Sequence, residues 1–175
     1  NQIGQYQKAE PLYFQAKNIR AKVLGEQHLD FAASLSNLAS LYQGMGQYEK
    51  AEPFYLQEMN IRKKILGEQH SHFATNLGNL ASLYYLMGQY EKAEPLYLQA
   101  KNIDAKALGE EHPDFATGLN NLALLYKTMG QYQKAEPFYL QAKNVRAKVL
   151  GEQHPDFATS LSNLANLYQA TGPVS

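Results

Sequence analysis

The sequence predicts an all-α protein, a right-handed α-α superhelix (solenoid) of antiparallel helix pairs with about eight helices. Three observations lead to that fold class. A Gly-Gln-Tyr string recurs at Gly4, Gly46, Gly88 and Gly130, spaced by 42 residues each time, and Gly172 falls on the next beat. Within each period the apolar residues follow helical spacing. No stretch shows the strict apolar–polar alternation of a half-buried strand.

A fixed period of this size marks a repeat architecture. Four copies run 4–45, 46–87, 88–129 and 130–171, with three residues before them and a tail at 172–175. Compared with one another, the copies are identical in 23 of 42 columns. The expectation is a single solenoid over 1–175, a segment of a longer array or a consensus-like one.

The elements follow from the pattern. Phe31, Leu35, Leu38 and Tyr42 sit at i, i+4, i+7 and i+11, with Ala32 and Ala39 beside them, which predicts helix A over 29–45. Ala51, Phe54, Tyr55, Ile61, Ile65 and Leu66 predict helix B over 48–66. Gly25, Gly67, Gly109 and Gly151 end helix B, where a C′ residue often takes the left-handed conformation. Pro113 and Pro155 fall near the first position of helix A, where a missing N–H costs little; Leu29 and Ser71 stand there in the first two copies. Gly46 and its equivalents mark the A-to-B turn. Pro11, Pro53, Pro95 and Pro137 fall within helix B, which is tolerable only near its first turn. Helix B is therefore allowed to start as late as Glu49 or Lys50.

One helix pair cannot bury its apolar face alone, whereas stacked copies share a continuous core. Small residues at Ala39, Ala81, Ala123 and Ala165, and at Ala51, Ala93 and Ala135, allow close helix approach. The recurring tyrosines, Tyr6, Tyr42, Tyr48, Tyr55 and their equivalents, read as core and turn packing.

Composition narrows the function. Sixteen Lys plus Arg balance 16 Asp plus Glu, which argues against a nucleic-acid or anionic-membrane partner. Without Cys there is no disulfide framework, thiolate nucleophile or Cys-based metal site. No apolar run approaches the ~20 residues of a membrane span, and a cytoplasmic location is expected. No phosphate loop, dinucleotide glycine pattern, zinc-protease helix or nucleophile elbow is present, so the chain is expected not to be an enzyme, with no cofactor. His28, His70, His112 and His154 recur one per copy and read as turn packing or caps. His70-Ser71-His72 lacks a third metal ligand. Lys and Arg on helix B (Lys17, Arg20, Lys22; Arg62, Lys63, Lys64; Lys143, Arg146, Lys148) read as a solvated outer face, interrupted by Asp104.

The string Leu38-Ala39, Tyr42, Gly46, Tyr48, Ala51, Tyr55 resembles the tetratricopeptide repeat. The long period and the Ile-Arg-x-Lys-x-Leu-Gly-Glu-x-His-Pro-Asp-x-Ala segment resemble its kinesin light chain and nephrocystin-3-like subclass, which also occurs in bacterial multidomain proteins. One column departs: that subclass usually has Leu where this chain has Lys17, Met59, Lys101 and Lys143, so packing there should be looser or more exposed.

The resemblance implies a scaffold that binds a protein or peptide in a concave groove lined by the A helices. Carried over position by position, the first copy offers Ala33, Ser36, Asn37, Ser40 and Gln43. The second offers Thr75, Gly78, Asn79, Ser82, Tyr85 and Leu86. The third offers Thr117, Asn120, Asn121, Leu124 and Lys127, and the fourth Thr159, Ser162, Asn163, Asn166 and Gln169.

The column Asn37, Asn79, Asn121, Asn163 is the most informative, because Asn is a poor helix-interior residue. Its amide donates and accepts, and so suits the backbone of an extended peptide. With A helices about 10 Å apart and a strand rising about 3.3 Å per residue, one Asn would meet roughly every third peptide residue. The alternative is an Asn bonded to a neighbouring helix. Hydrogen bonds of about 0.5–1.5 kcal/mol each need apolar anchors beside them, and Tyr85, Leu86 and Leu124 are the candidates. Lys127 is the one charged residue of this set, which predicts a neutral, backbone-reading groove. A second expectation is head-to-tail self-association through solenoid ends that carry no polar cap.

Overall fold

The computed structural model describes residues 2–172, with side chains from Gly4 onward; Pro173–Ser175 of the expected tail lie outside the described residues. Eight helices follow one another: α1 (Gln2–Leu24), α2 (Leu29–Gly44), α3 (Tyr48–Leu66), α4 (Ser71–Leu86), α5 (Tyr90–Ala107), α6 (Pro113–Thr128), α7 (Tyr132–Leu150) and α8 (Pro155–Thr171). No strand occurs among the described residues. The chain forms two compact units, the first ending at Gln89 and the second starting at Tyr90.

Each unit closes around the face that the periodicity marked. In the first, Phe31, Ala32 and Leu35 of α2 cluster with Ile61 of α3, and Ala21 and Phe54 pack against them. In the second, Phe115, Ala116 and Leu119 of α6 cluster with Ala142 of α7, flanked by Ala105, Phe138 and Val145. Ala39, Ala51, Ala123 and Ala135 are fully buried, as close helix approach requires. Of the looser column, Lys17, Met59, Lys101 and Lys143 are all half-buried.

The turns explain the register. At the A-to-B turn Gly46 takes φ 72°, its N–H reaches the Gln43 carbonyl at 3.0 Å, and the Gln47 N–H reaches the Tyr42 carbonyl at 2.9 Å. Those two bonds form the closing pattern of a helix whose C′ residue is left-handed, which favours glycine. The B-to-A turn differs from the left-handed C′ expected for it. Gly67 is the C-cap itself, at φ 83° and ψ 165°, and Gly151 matches it at φ 86° and ψ 157°. Positive φ with extended ψ is open essentially to glycine alone. It throws the chain outward into His70, whose extended backbone starts the next helix.

The four histidines of that turn are caps. Nδ1 of His28, His70, His112 and His154 accepts the backbone N–H two residues on, at 3.1 Å in each case. The side chain thereby satisfies one of the orphan donors of a helix start. Pro113 and Pro155 occupy the first turns of α6 and α8 as expected.

The prolines of helix B sit deeper than expected. α3, α5 and α7 start at Tyr48, Tyr90 and Tyr132, so Pro53, Pro95 and Pro137 fall beyond the first turn, and Pro11 lies inside α1. All four are exposed, as are Gln7, Glu49, Glu91 and Gln133, four residues before them, whose carbonyls lose a partner. Water next to those residues offsets the loss.

Candidate functional site

A repeated lock fixes the rotation of each A helix. In the first unit Tyr42 Oη donates to Glu10 Oε1 at 2.5 Å, and Tyr84 Oη to Glu52 Oε1 at 2.7 Å. In the second, Tyr126 Oη donates to Glu94 Oε1 at 2.7 Å, and Tyr168 Oη to Glu136 Oε1 at 2.9 Å. Tyr42 also stacks on Phe54 at 5.8 Å under Lys50 Nζ, and Tyr126 on Phe138 at 5.7 Å under Lys134 Nζ. Burial, with the facing carboxylate, pushes Tyr42, Tyr84 and Tyr126 up to about 12, so each stays a protonated donor. At 3.6 residues per turn, Asn37 and Ser40 then fall on the far side of α2 from Tyr42.

In the first unit that far side meets α1. Asn37, Ser40 and Leu41 line a cavity of about 420 Å³ with Gln5, Tyr6, Ala9 and Tyr13. Asn37 and Ser40 are exposed. Ser40 Oγ lies 3.3 Å from Tyr55 Oη, which donates to Gln43 Oε1 at 3.0 Å, so Ser40 and Gln43 are also tied to α3. Asn79 lines a different cavity, of about 230 Å³, with Thr75, Ser36, Asn76, Glu58 and Arg62 among its walls. Ser82 and Tyr85 are half-buried, and Leu86 is exposed.

In the second unit Asn163 Nδ2 donates to Asn120 Oδ1 at 2.7 Å, joining α8 to α6. This is the structural use of the column, through a side chain rather than a backbone. Asn121 and Lys127 are half-buried, while Leu124 and Asn166 are exposed.

The arginines of helix B correct the reading of that face as wholly solvated. Arg20 Nη1 donates to Ser34 Oγ at 2.7 Å, and Arg146 Nη1 to Ser160 Oγ at 3.0 Å and the Asp156 carbonyl at 3.3 Å. Arg146 is buried. A guanidinium fork can serve two acceptors on the next A helix at once, which a lysine ammonium does less well. Lys22, Lys63, Lys64 and Lys148 remain exposed, with Lys63 paired to Glu68 and Lys148 to Glu111, whereas Lys17 and Lys143 are half-buried. Two junctions depart from the Arg–Ser pairing. Arg62 Nε binds Glu58 Oε1 at 3.1 Å, facing Asn76 in place of Ser. Asp104 stands in the Arg column, with Gly118 in the Ser column, and is buried; burial, with Asp114 adding and His112 opposing, pushes its carboxyl up to about 6.

Tyr6 and Tyr13, the Glu10-type partners and Glu58 are absent from the sequence-based site. The tyrosines were read as packing. The Tyr–Glu pairs span 32 residues. Glu58 is visible only as a lone departure from Ala16, Ala100 and Ala142. His70 and His72 have ring centroids 5.0 Å apart, and no group of three or more metal-ligating side chains occurs among the described residues. No helix of the described residues is long and apolar enough to cross a membrane.

Antiparallel helix pairs locked by repeated Tyr–Glu bonds, with a mixed polar and apolar A-helix face, define a helical-repeat scaffold. The chain belongs to the tetratricopeptide-repeat family, whose profile matches residues 1–64, 30–105, 71–142 and 114–172. It shares the superhelix fold of that family, whose members serve in protein–protein contacts. Among solved structures it is similar to BtubC (BKLC) from P. vanneervenii, at 30% identity and TM-score 0.85 over 98% of this chain and 68% of that one. It is also similar to a Podosopora anserina kinesin light chain-type protein with nearly identical TPR-like repeats, at 36% identity and TM-score 0.81 over 98% and 81%. The apo form of RapI, at 17% identity and TM-score 0.80 over 95% and 58%, shares the fold. No curated protein sequence matches the chain significantly.

Proposed function

We propose that the A-helix faces bind an extended segment of a protein partner, reading its backbone through Asn and Ser side chains and its apolar residues through Tyr and Leu. The observation that carries this reading is the cavity between α1 and α2. There Asn37 and Ser40, which donate and accept, stand beside the rings of Tyr6 and Tyr13 in a space of about 420 Å³. A few polar groups converging among aromatic walls is the common build of a ligand site. Exposed Leu86 and Leu124 offer apolar anchors in their respective units. The test is a peptide selected from a random display library and titrated into isotope-labelled protein. Shifts should gather on Tyr6, Tyr13, Asn37 and Ser40, around the cavity of the first unit. Shifts gathered on the Lys63 and Lys64 face instead would refute the reading.

A second reading, head-to-tail self-association of copies, rests on bare apolar columns. Ile19 of α1 is 54% exposed where Ile61 of α3 is 3%; Leu161 of α8 is 46% exposed where Leu35 of α2 is 0%. Leu35 and Ile61 pack together inside the first unit. The same residue types on α8 of one copy and α1 of another could repeat that packing. Light scattering should show mass rising with concentration, abolished by Leu161→Asp; a constant monomer mass would rule it out.

A further inference from the structure

The junction between α3 and α4 differs from the two other arginine junctions in three places. Asn76 stands in the column of Ser34 and Ser160, His72 in that of Asp30 and Asp156, and Glu58 in that of Ala16 and Ala142. At those other junctions the arginine fork is taken up within the fold. Arg20 Nη1 donates to Ser34 Oγ and the Asp30 carbonyl, and Arg146 Nη1 to Ser160 Oγ and the Asp156 carbonyl. Arg62 is held differently. Its Nε donates to Glu58 Oε1 at 3.1 Å, and neither Nη makes a hydrogen bond among the described residues.

The spare end of Arg62 is open. Arg62 lines the 230 Å³ cavity with His72 and Asn79 of α4, and keeps 17% of its side-chain surface exposed. The unpartnered atoms sealed from solvent in that wall are Glu58 Oε2 and Asn76 Oδ1; the Arg62 nitrogens are not among them, so solvent reaches them. Glu58 is 1% exposed and is engaged by Arg62, Asn76 and Ser36, so it orients the guanidinium from behind. The carboxylate of the Asp30 column is absent here, and an exposed imidazole takes its place.

The spare groups are donors: Arg62 Nη1 and Nη2, the His72 ring N–H and the Asn79 NH2. A cation would meet the guanidinium. A carboxylate has two oxygens, which the two Nη groups satisfy alone. A phosphate monoester has three terminal oxygens and meets all three side chains. The formal net charge of the chain is zero, which suits one phosphorylated residue rather than a nucleic-acid backbone.

We propose that this cavity is a phosphate site, filled by a phosphorylated side chain of a bound partner. Arg62 Nη1 and Nη2 hold two phosphate oxygens, and His72 and Asn79 meet the third. The source of the phosphate rests on the protein-binding reading above; the site itself is tested without a peptide. Inorganic phosphate, acetate and a phosphoserine capped at both ends are titrated separately at fixed pH and ionic strength. The Asn79 NH2 and His72 ring resonances are followed by NMR, with Asn163 and His154 of the second unit as controls. Phosphate and capped phosphoserine should give saturable shifts in the millimolar range, because Glu58 offsets much of the Arg62 charge, and the controls should stay still. Acetate should bind at least about tenfold more weakly.

His72→Asp installs the residue of the other copies at an exposed position, so phosphate binding should disappear while the melting temperature holds. Arg62→Lys keeps the charge without the fork and should weaken phosphate at least about tenfold. The site is overturned by no saturation with phosphate, by acetate binding as tightly as phosphate, or by unchanged phosphate binding in His72→Asp. Saturation by inorganic phosphate with capped phosphoserine inert would overturn the phosphorylated-residue source, as would a short single-stranded oligonucleotide that binds there more tightly than capped phosphoserine. A display-selected peptide that perturbs only the Lys63 and Lys64 face would sink the partner reading and leave the phosphate results standing.

Discussion

At the same column of helix B, α7 of the second unit carries Ala142 in the core against Phe115 and Leu119, whereas α3 of the first carries Glu58, buried and tied to Arg62. The Tyr–Glu locks pair the same atoms in both units, and both apolar clusters take Phe, Ala and Leu from an A helix, but Ile61 closes the first where Ala142, flanked by half-buried Val145, closes the second. The difference teaches where each part of the chain is constrained. Apolar columns close each helix pair and cannot vary without cost. The polar column between a B helix and the next A helix takes Arg–Ser, Glu–Arg–Asn or Asp–Gly, and there a copy gains its own chemistry.

The comparison breaks most sharply at Ala142→Glu, which asks whether the second unit tolerates what the first contains. Its partner column holds Ser160, not Asn76, and Arg146 is already committed to Ser160 and Asp156. We expect a loss of about 3 kcal/mol by chemical denaturation, from overpacking and an ill-matched buried charge. A loss under about 1 kcal/mol would show that the column is permissive in both units.

The locks should behave alike. Tyr42→Phe and Tyr126→Phe each remove a hydrogen bond to a carboxylate and should each cost about 1.5–3 kcal/mol. Markedly unequal costs would contradict the equivalence of the two units.

Rebuilding the missing Arg–Ser pair sharpens the same point. Asp104→Arg/Gly118→Ser replaces a buried carboxylate and a helical glycine; a Cβ at Gly118 would sit 3.7 Å from Lys101 Cα, an ordinary contact. A gain of about 1–2 kcal/mol at neutral pH is expected. The wild-type carboxyl, pushed up to about 6, binds its proton more tightly when folded than the ordinary value near 4 allows when unfolded. Asp104 therefore adds stability as pH falls from 7 through 6 toward 4, and that stability is lost as pH rises through the same window. Asp104→Asn should flatten this part of the melting-temperature profile relative to wild type; superimposable profiles would refute it.

Much of this was legible beforehand. Helix A was expected at 29–45 and runs Leu29–Gly44; helix B was expected at 48–66 and runs Tyr48–Leu66. Periodic apolar residues and glycine punctuation report directly on burial and backbone geometry. The depth of Pro53 was not legible, because exposure of the Glu49 carbonyl depends on which way α3 faces. The Tyr–Glu locks were hidden by 32 residues of separation, although Glu10, Glu52, Glu94 and Glu136 recur in step with the tyrosines. In the Asn column, identical residues meet different neighbours: Asn163 bonds Asn120, whereas Asn37 lines a cavity with Tyr6 and Tyr13. A column of one residue type therefore does not carry one role.

That contrast sets the smallest effects and the most direct test. A display-selected peptide is titrated calorimetrically into wild type, Asn37→Ala and Asn163→Ala, with melting temperatures measured in parallel. Asn37→Ala should weaken binding about 2–10-fold, the worth of one net hydrogen bond, with the melting temperature unchanged. Asn163→Ala should lower stability by about 1 kcal/mol through loss of the bond to Asn120. If Asn37→Ala instead lowers the melting temperature and leaves affinity intact, the A-helix face is structural and the account of a backbone-reading surface is wrong.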